Sequence, residues 1–230
     1  MSLVTNTLID ALPRTARSRL LSICESVDLV AGYVVSDSDA PTRHVYFPTG
    51  SILSLTTSSK ESPVLEVGMV GSEGMLGLQV VLSVDSVPLQ ASVRGPGTAW
   101  RVATEPFNRE LAGSRALRQC LYGYLQVTML QLTSQARCVR FHPINQRLAR
   151  WLLMTHDRVH ADSFSVTQAL MAHMLGVRRV GIAKAAGAFQ REGMIRYARG
   201  VLTIVDRKAL ESESCGCYAT GRRTYERFMP

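Results

Sequence analysis

The stretch that decides the fold runs from Met171 to Ile195, "MAHMLGVRRVGIAKAAGAFQREGMI". It is an alanine-rich, helix-forming text interrupted by Gly176 and followed at once by Arg178 and Arg179. Glycine accepts the left-handed backbone that ends one helix and turns sharply into the next. Thr167 suits the N-cap of the first helix, which the pattern predicts to end at Leu175 with Leu170, Met171 and Met174 turned inward. Ala172 is small enough to let a second helix cross closely, and Ile182 with Val177 fills the angle between the two. The spacing of Ala172, Gly176 and Ile182 therefore predicts a helix-turn-helix whose second helix begins near Arg178.

A recognition helix places its amino-terminal residues against base edges in the major groove. Arginine suits that position because its planar fork bonds guanine O6 and N7 together. The candidate DNA-contacting residues are Thr167 and Gln168 at the start of the first helix, and Arg178, Arg179, Val180, Gly181 and Lys184 at the start of the second. A helical hairpin with a solvated basic face would share this spacing. What separates the two readings lies downstream: "MIRYARGVLTIVD" (residues 194–206) predicts a strand, a turn at Ala198 to Gly200 and a second strand, the wing of a winged helix. Arg199 at its tip is placed to meet a phosphate.

Charge points the same way. The 230-residue chain carries a formal net charge of +8. Residues 1–140 hold 12 Lys or Arg against 11 Asp or Glu, whereas residues 141–230 hold 14 against 7. The basic excess thus belongs to the last third, which predicts a polyanion as its partner. A hydrophobic share of 46% is ordinary for a globular chain able to bury a core. The longest apolar runs fall short of the roughly 20 residues of a membrane span, and the amino terminus has no signal-peptide pattern, so a cytoplasmic protein is expected.

Upstream, short β-branched runs alternate with turn residues: "DLVAGYVV", "HVYFPTG", "SILSLTT", "VLEVGMVG", "LQASVRGPG" and "TAWRVA". They predict an antiparallel β barrel or sandwich. Seven of the nine prolines lie between Pro13 and Pro106, and the chain changes character there. From Ser114 to Arg140 there is no proline and apolar residues recur at helical steps, so one long helix is expected. Leu117, Leu121, Tyr124, Thr128 and Leu132, with Gln135, form an imperfect seam along it, which suits a two-helix dimer contact; the alternative is that the helix only covers its own barrel. Pro143 suits the first turn of a following helix that carries Leu148, Trp151, Leu152 and Leu153 inward. The predicted division is 1–113 for the β-barrel with an N-terminal helix, 114–140 for the connecting helix and 141–230 for the DNA-binding domain.

Taken together, a β-rich amino half, a long connecting helix and the winged helix containing "LMAHMLGVRRVGIAKAAGAFQREGMI" resemble the CRP/FNR superfamily of bacterial transcription factors over nearly the full length. That resemblance implies an α+β chain: a jelly-roll sensor related to cyclic-nucleotide-binding domains, a helix pairing two subunits, and a winged helix-turn-helix bound to a near-palindromic promoter site, with RNA polymerase as a further partner. The family's base-reading positions fall on Arg179, Val180 and Lys184. Well-studied members carry glutamate where this chain has Val180, so an acceptor for cytosine N4 is lost and a different target is expected.

The effector is harder to read. In cyclic-nucleotide-binding members a glutamate holds the ribose and an arginine followed by serine or threonine holds the phosphate. Here Met75 or Leu76 stands near the first place, and Val87 to Gln90 replace the second, so a cyclic phosphate would lack its counter-charge. Glu73 and Arg94 lie nearby without an assigned role. An iron-sulfur sensor needs clustered cysteines, whereas Cys24 stands alone until Cys120. His44 is the only histidine before His142, too few for a cupin metal centre. His156 and His160 stand four apart and permit a metal pair, but solvated histidines near a helix end fit as well. Cys215 and Cys217 in "ESCGCY" lack a second ligand pair in the sequence, so no metal, cofactor or catalytic set is assigned. The rival reading is a small-molecule-binding or enzymatic cupin-like barrel with a C-terminal interaction module.

Overall fold

A computed structural model describes residues 5–229. In chain order the elements are α1 (Thr7–Asp10), α2 (Arg14–Ser22), β1 (Glu25–Leu29), β2 (Val34–Ser36), β3 (His44–Pro48), β4 (Ile52–Ser59), β5 (Ser62–Val70), a 3-10 turn (Leu78–Leu82), β6 (Gln90–Gly95) and β7 (Gly97–Ala103). Then follow α3 (Thr104–Gly113), α4 (Arg115–Phe141), α5 (Ile144–Val159), β8 (Ser163–Ser165), α6 (Gln168–Leu175), α7 (Arg179–Arg191), β9 (Ile195–Ala198), β10 (Val201–Ile204), α8 (Arg207–Glu213) and α9 (Cys217–Phe228). Each strand run read from the sequence contributes a strand, except that residues 28–35 hold the end of β1, a turn and the start of β2; the long helix spans 27 residues, roughly 40 Å at 1.5 Å per residue.

By its internal contacts the chain divides into two compact units: residues 1–57, 68–129 and 225–230, and residues 58–67 with 130–224. In the first, the strands form two sheets, ordered β1-β7-β3 and β2-β6-β4-β5, rather than one closed barrel. The register of β3 on β7 pairs Val45 with Val102 and Phe47 with Trp100. Alternation along the strands sends Leu29, Tyr46, Leu53, Val70, Ala91, Val93 and Ala99 into one shared apolar layer. A second, larger cluster joins α1, α2 and α3 to the first half of α4, with Phe47, Phe107, Leu117 and Leu121 at most 1% exposed. Asn6 caps α1 by accepting from the N–H groups of Leu8 and Ile9, and its amide donates to the carbonyls of Pro48 and Gly74.

Part of the seam expected to pair two subunits lies in the chain's own core. Leu117, Leu121 and Tyr124 lie 1%, 0% and 5% exposed within the chain's own core. The Thr128 hydroxyl donates to the Tyr124 carbonyl within the helix. Leu117, Leu121 and Tyr124 pack with α1, α2, Phe47 and Phe107 in one apolar cluster, so burial within the chain covers them. Of the five, Leu132 alone is exposed, at 47%.

The second unit is built on α5, whose Leu148, Ala149, Leu152 and Leu153 are fully buried. Trp151 donates from its indole to buried Glu66, 2.7 Å away, and Gln135 donates to the Glu66 carbonyl at 3.4 Å. These bonds hold the 58–67 segment within this unit. A three-stranded sheet, ordered β8-β10-β9, closes it.

Candidate nucleic-acid interface

Thr167 accepts from the Leu170 N–H at 3.1 Å and so caps α6. At the other end Gly176 has φ 60° and ψ 41°. The Val177 N–H donates to the Ala172 carbonyl at 3.0 Å and the Gly176 N–H to that of His173 at 3.2 Å, the paired bonds of a Schellman ending. Buried Arg147 donates from its guanidinium to the Leu175 carbonyl, satisfying another acceptor that the helix end leaves open. The corner predicted at Gly176 is therefore built from its left-handed backbone and three bonds.

Arg178 then adopts extended backbone as the N-cap of α7, with no side-chain cap. Ile182, Ala185, Ala186 and Phe189 are buried at helical spacing on one face. The opposite face starts with Arg178, Arg179 and Val180, all exposed, and Lys184 is exposed one turn on. Val180 is 72% exposed, the highest value among the large apolar side chains of the described residues. Gly181 differs from its neighbours: a Cβ there would stand 2.8 Å from Ile144 Cδ1 of α5. Its smallness is explained by close helix packing, and the glycine is only half-exposed. Thr167 is exposed and Gln168 half-buried at the start of α6.

Arg199 and Gly200 form the two-residue connection between β9 and β10, with φ 51° and 80°. Two successive positive φ values match the right-handed twist of a tight hairpin, and Arg199 is exposed at its tip. The wing is held to the helices: the Tyr197 N–H donates to Gln190 Oε1 at 3.0 Å, and the Tyr197 hydroxyl donates to the Val166 carbonyl at 3.0 Å. The arrangement thus brings Thr167, Gln168, Arg178, Arg179, Val180, Lys184 and Arg199 onto one small domain with a cationic exposed surface.

The sequence of residues 146–213 matches the Crp-like helix-turn-helix domain family. The chain has the CRP/FNR regulator fold, with a Crp-like helix-turn-helix domain at its C-terminal side. FixK2 from Bradyrhizobium japonicum is similar at TM-score 0.72 and 12% identity, covering 84% of this chain and 98% of that one. A CRP/FNR-family transcriptional regulator from Thermus thermophilus is similar at TM-score 0.68 and 19% identity, over 83% of this chain and 98% of that one. The c-di-GMP-responsive global regulator CLP of Xanthomonas campestris is similar at TM-score 0.68 and 15% identity, over 84% and 99%. Among curated proteins, none matches the chain. No helix among the described residues is long and apolar enough to cross a membrane.

The other positions read from the sequence lie elsewhere. Met75 and Leu76 are buried in apolar surroundings, and Glu73 accepts from the Gly71 N–H through its carboxylate. His44 packs its ring at a tilt against Tyr46, 6.2 Å between centroids, and burial lowers its pKa. His156 has two polar neighbours. Its Nε2 lies 2.9 Å from Asp162 Oδ1, and Arg207 donates to its Nδ1.

Proposed function

We propose that the chain is a homodimeric, sequence-specific, DNA-binding transcription regulator that acts in the cytoplasm. Residues 1–113 would be its sensor domain, 114–140 its connecting helix and 141–230 its DNA-binding domain. The observation that carries the reading is the cationic start of α7. Arg178 and Arg179 crowd the positive end of a helix whose first turn holds no acidic residue. Among the described residues, Arg178, Arg179, Lys184 and Arg199 make no ion pair. Two guanidinium groups there work against the helix dipole, and a polyanion supplies what the free protein lacks. Thr167, Gln168 and Arg199 would hold the phosphate backbone, while Arg179, Val180 and Lys184 would face base edges. Val180 offers an apolar surface of the kind that reads a thymine methyl.

Dimerisation would use a stripe of α4 that shares only Leu132 with the seam read from the sequence. Tyr122, Met129, Leu132 and Val139 are 54%, 61%, 47% and 38% exposed. With Leu125 and Ala136 they recur at alternating three- and four-residue steps, the heptad seam of a two-stranded coiled coil. Cyclic AMP is not the proposed effector, because the buried apolar Met75 and Leu76 and the stretch Val87 to Gln90 offer no ribose or phosphate partner. CLP, which shares the fold, responds to c-di-GMP, so this fold does not prescribe one nucleotide. RNA polymerase would be the further partner at a promoter.

Sequence selection from a random duplex pool followed by anisotropy titration tests the proposal. Arg179→Ala should cost about 1–3 kcal/mol on the selected site and relax preference at one base pair of each half-site. Unchanged affinity and unchanged base preference in that variant would sink the recognition-helix assignment.

A further inference from the structure

Three of the five cysteines, far apart in sequence, meet in one place. Cys138 lies in the last turn of α4, His142 directly follows that helix, and Cys215 and Cys217 flank the turn from α8 to α9. The three sulfurs and a ring nitrogen of His142 all lie within 4.8 Å of one another. Cys138 Sγ is 3.6 Å from Cys215 Sγ, and Cys217 Sγ is 3.7 Å from His142 Nδ1. All three cysteines are buried, at 2%, 4% and 1% exposure. We propose that Cys138, His142, Cys215 and Cys217 form a tetrahedral site for a single zinc ion, which fastens the end of α4 to the α8–α9 turn.

The geometry is that of a mononuclear site. An ion bound at about 2.3 Å to sulfur and about 2.0 Å to nitrogen holds its four ligands roughly 3.5–3.8 Å apart at the tetrahedral angle. The Cys138–Cys215 and Cys217–His142 separations, 3.6 and 3.7 Å, fall in that range. A disulfide would draw two sulfurs to about 2.05 Å and leave the other thiol and the imidazole without a role. A multinuclear iron-sulfur cluster would spread its ligands farther than one ion does. Three thiolates and one imidazole are a closed set with no position left for substrate, which marks a structural rather than a catalytic ion.

Local structure explains how the four converge. Cys138 and His142 stand four apart, and the His142 N–H donates to the Cys138 carbonyl at 3.1 Å. The helical turn thus continues through both residues and sets their side chains on one face. Charge supplies an independent argument. Binding a divalent ion releases three thiol protons and leaves the site with a net charge of −1. Arg137 donates to Cys217 Sγ at 3.6 Å, and Arg147 and Arg150, each 9% exposed, exert their charge on Cys138. Among the described residues neither buried arginine pairs with a carboxylate. Buried guanidinium groups need an anion nearby, and a zinc-thiolate centre is one.

The test uses the full chain, purified under reductant without metal-affinity resin, with metal content read by plasma mass spectrometry. One zinc per chain is expected. Cys215→Ser/Cys217→Ser should lose it, Cys24→Ser/Cys120→Ser should keep it, and His142→Cys should retain it with four sulfur ligands. If the double serine variant does not fold, the wild-type chain decides the matter. Chelator-stripped protein given Co(II) should develop the visible bands of tetrahedral, thiolate-bound cobalt, and Zn(II) should bleach them. Wild-type protein that holds no zinc and gives no such bands, or a folded double serine variant that keeps its zinc, overturns the proposal. Metal content is read without DNA, so this outcome stands apart from that of the recognition helix.

Discussion

Arg178 is a poor choice for the stability of the free protein. It occupies the N-cap of α7, where a short side chain with an oxygen acceptor would bond the open N–H groups of the first turn, and it offers none. Arg178→Asp should therefore raise the unfolding free energy by about 1 kcal/mol in urea titration, through capping and the helix dipole together. The same change should weaken duplex binding at least tenfold, because a carboxylate would face phosphates. A stabilised variant with undiminished affinity would place Arg178 away from the DNA. Arg199 shows a similar exchange, holding φ 51° at a hairpin position that suits Asn or Gly better. At this scale the corner was legible to the residue, since Gly176 and Thr167 act through local backbone chemistry that the text alone displays. Gly181 was not, because its reason is the nearness of Ile144 on another helix.

At the scale of elements, α4 shows why periodicity alone could not sort its faces. Both stripes are apolar at helical spacing, and periodicity cannot say which one meets the rest of the chain. Leu117, Leu121 and Tyr124 face the core because α1, α2 and Phe107 supply the partner surface there, leaving Tyr122, Met129, Leu132 and Val139 outward. The two stripes should respond differently to substitution. Leu121→Ala should destabilise the chain by about 2–5 kcal/mol as a core deletion, lowering the denaturant midpoint at any protein concentration. Leu132→Glu should leave the fold intact and shift sedimentation from dimer to monomer. Dissociation by Leu121→Ala with an unchanged denaturant midpoint would reverse the assignment, and a dimer that survives Leu132→Glu would overturn pairing through the outward stripe. The cysteine cluster was illegible for the same reason. Cys138 and His142 stand at a readable four-residue step, but Cys215 joins them only because the tertiary fold brings together residues 77 apart.

Over the whole molecule, the partition of charge and the proposed pairing of subunits make one joint claim about the DNA. Residues 141–230 carry 14 basic against 7 acidic side chains, so a dimer presents that excess twice. If each copy seats its own α7 in a major groove, the two half-sites must lie one helical turn, about 10 base pairs, or a multiple of it apart. Adding about 5 base pairs between the half-sites of a selected operator turns one of them to the opposite side of the duplex, whereas adding about 10 restores its facing. Affinity by anisotropy should therefore fall towards that of a single half-site in the first case and recover in part in the second. The slope of log K against log salt should fall as phosphate contacts are lost. Leu132→Glu, if it yields monomers, should bind both altered operators alike and show the shallower slope on each. An affinity that declines smoothly with insert length, without recovery near a full turn, would mean that the two basic modules do not read the duplex as a two-fold pair, however well each binds alone.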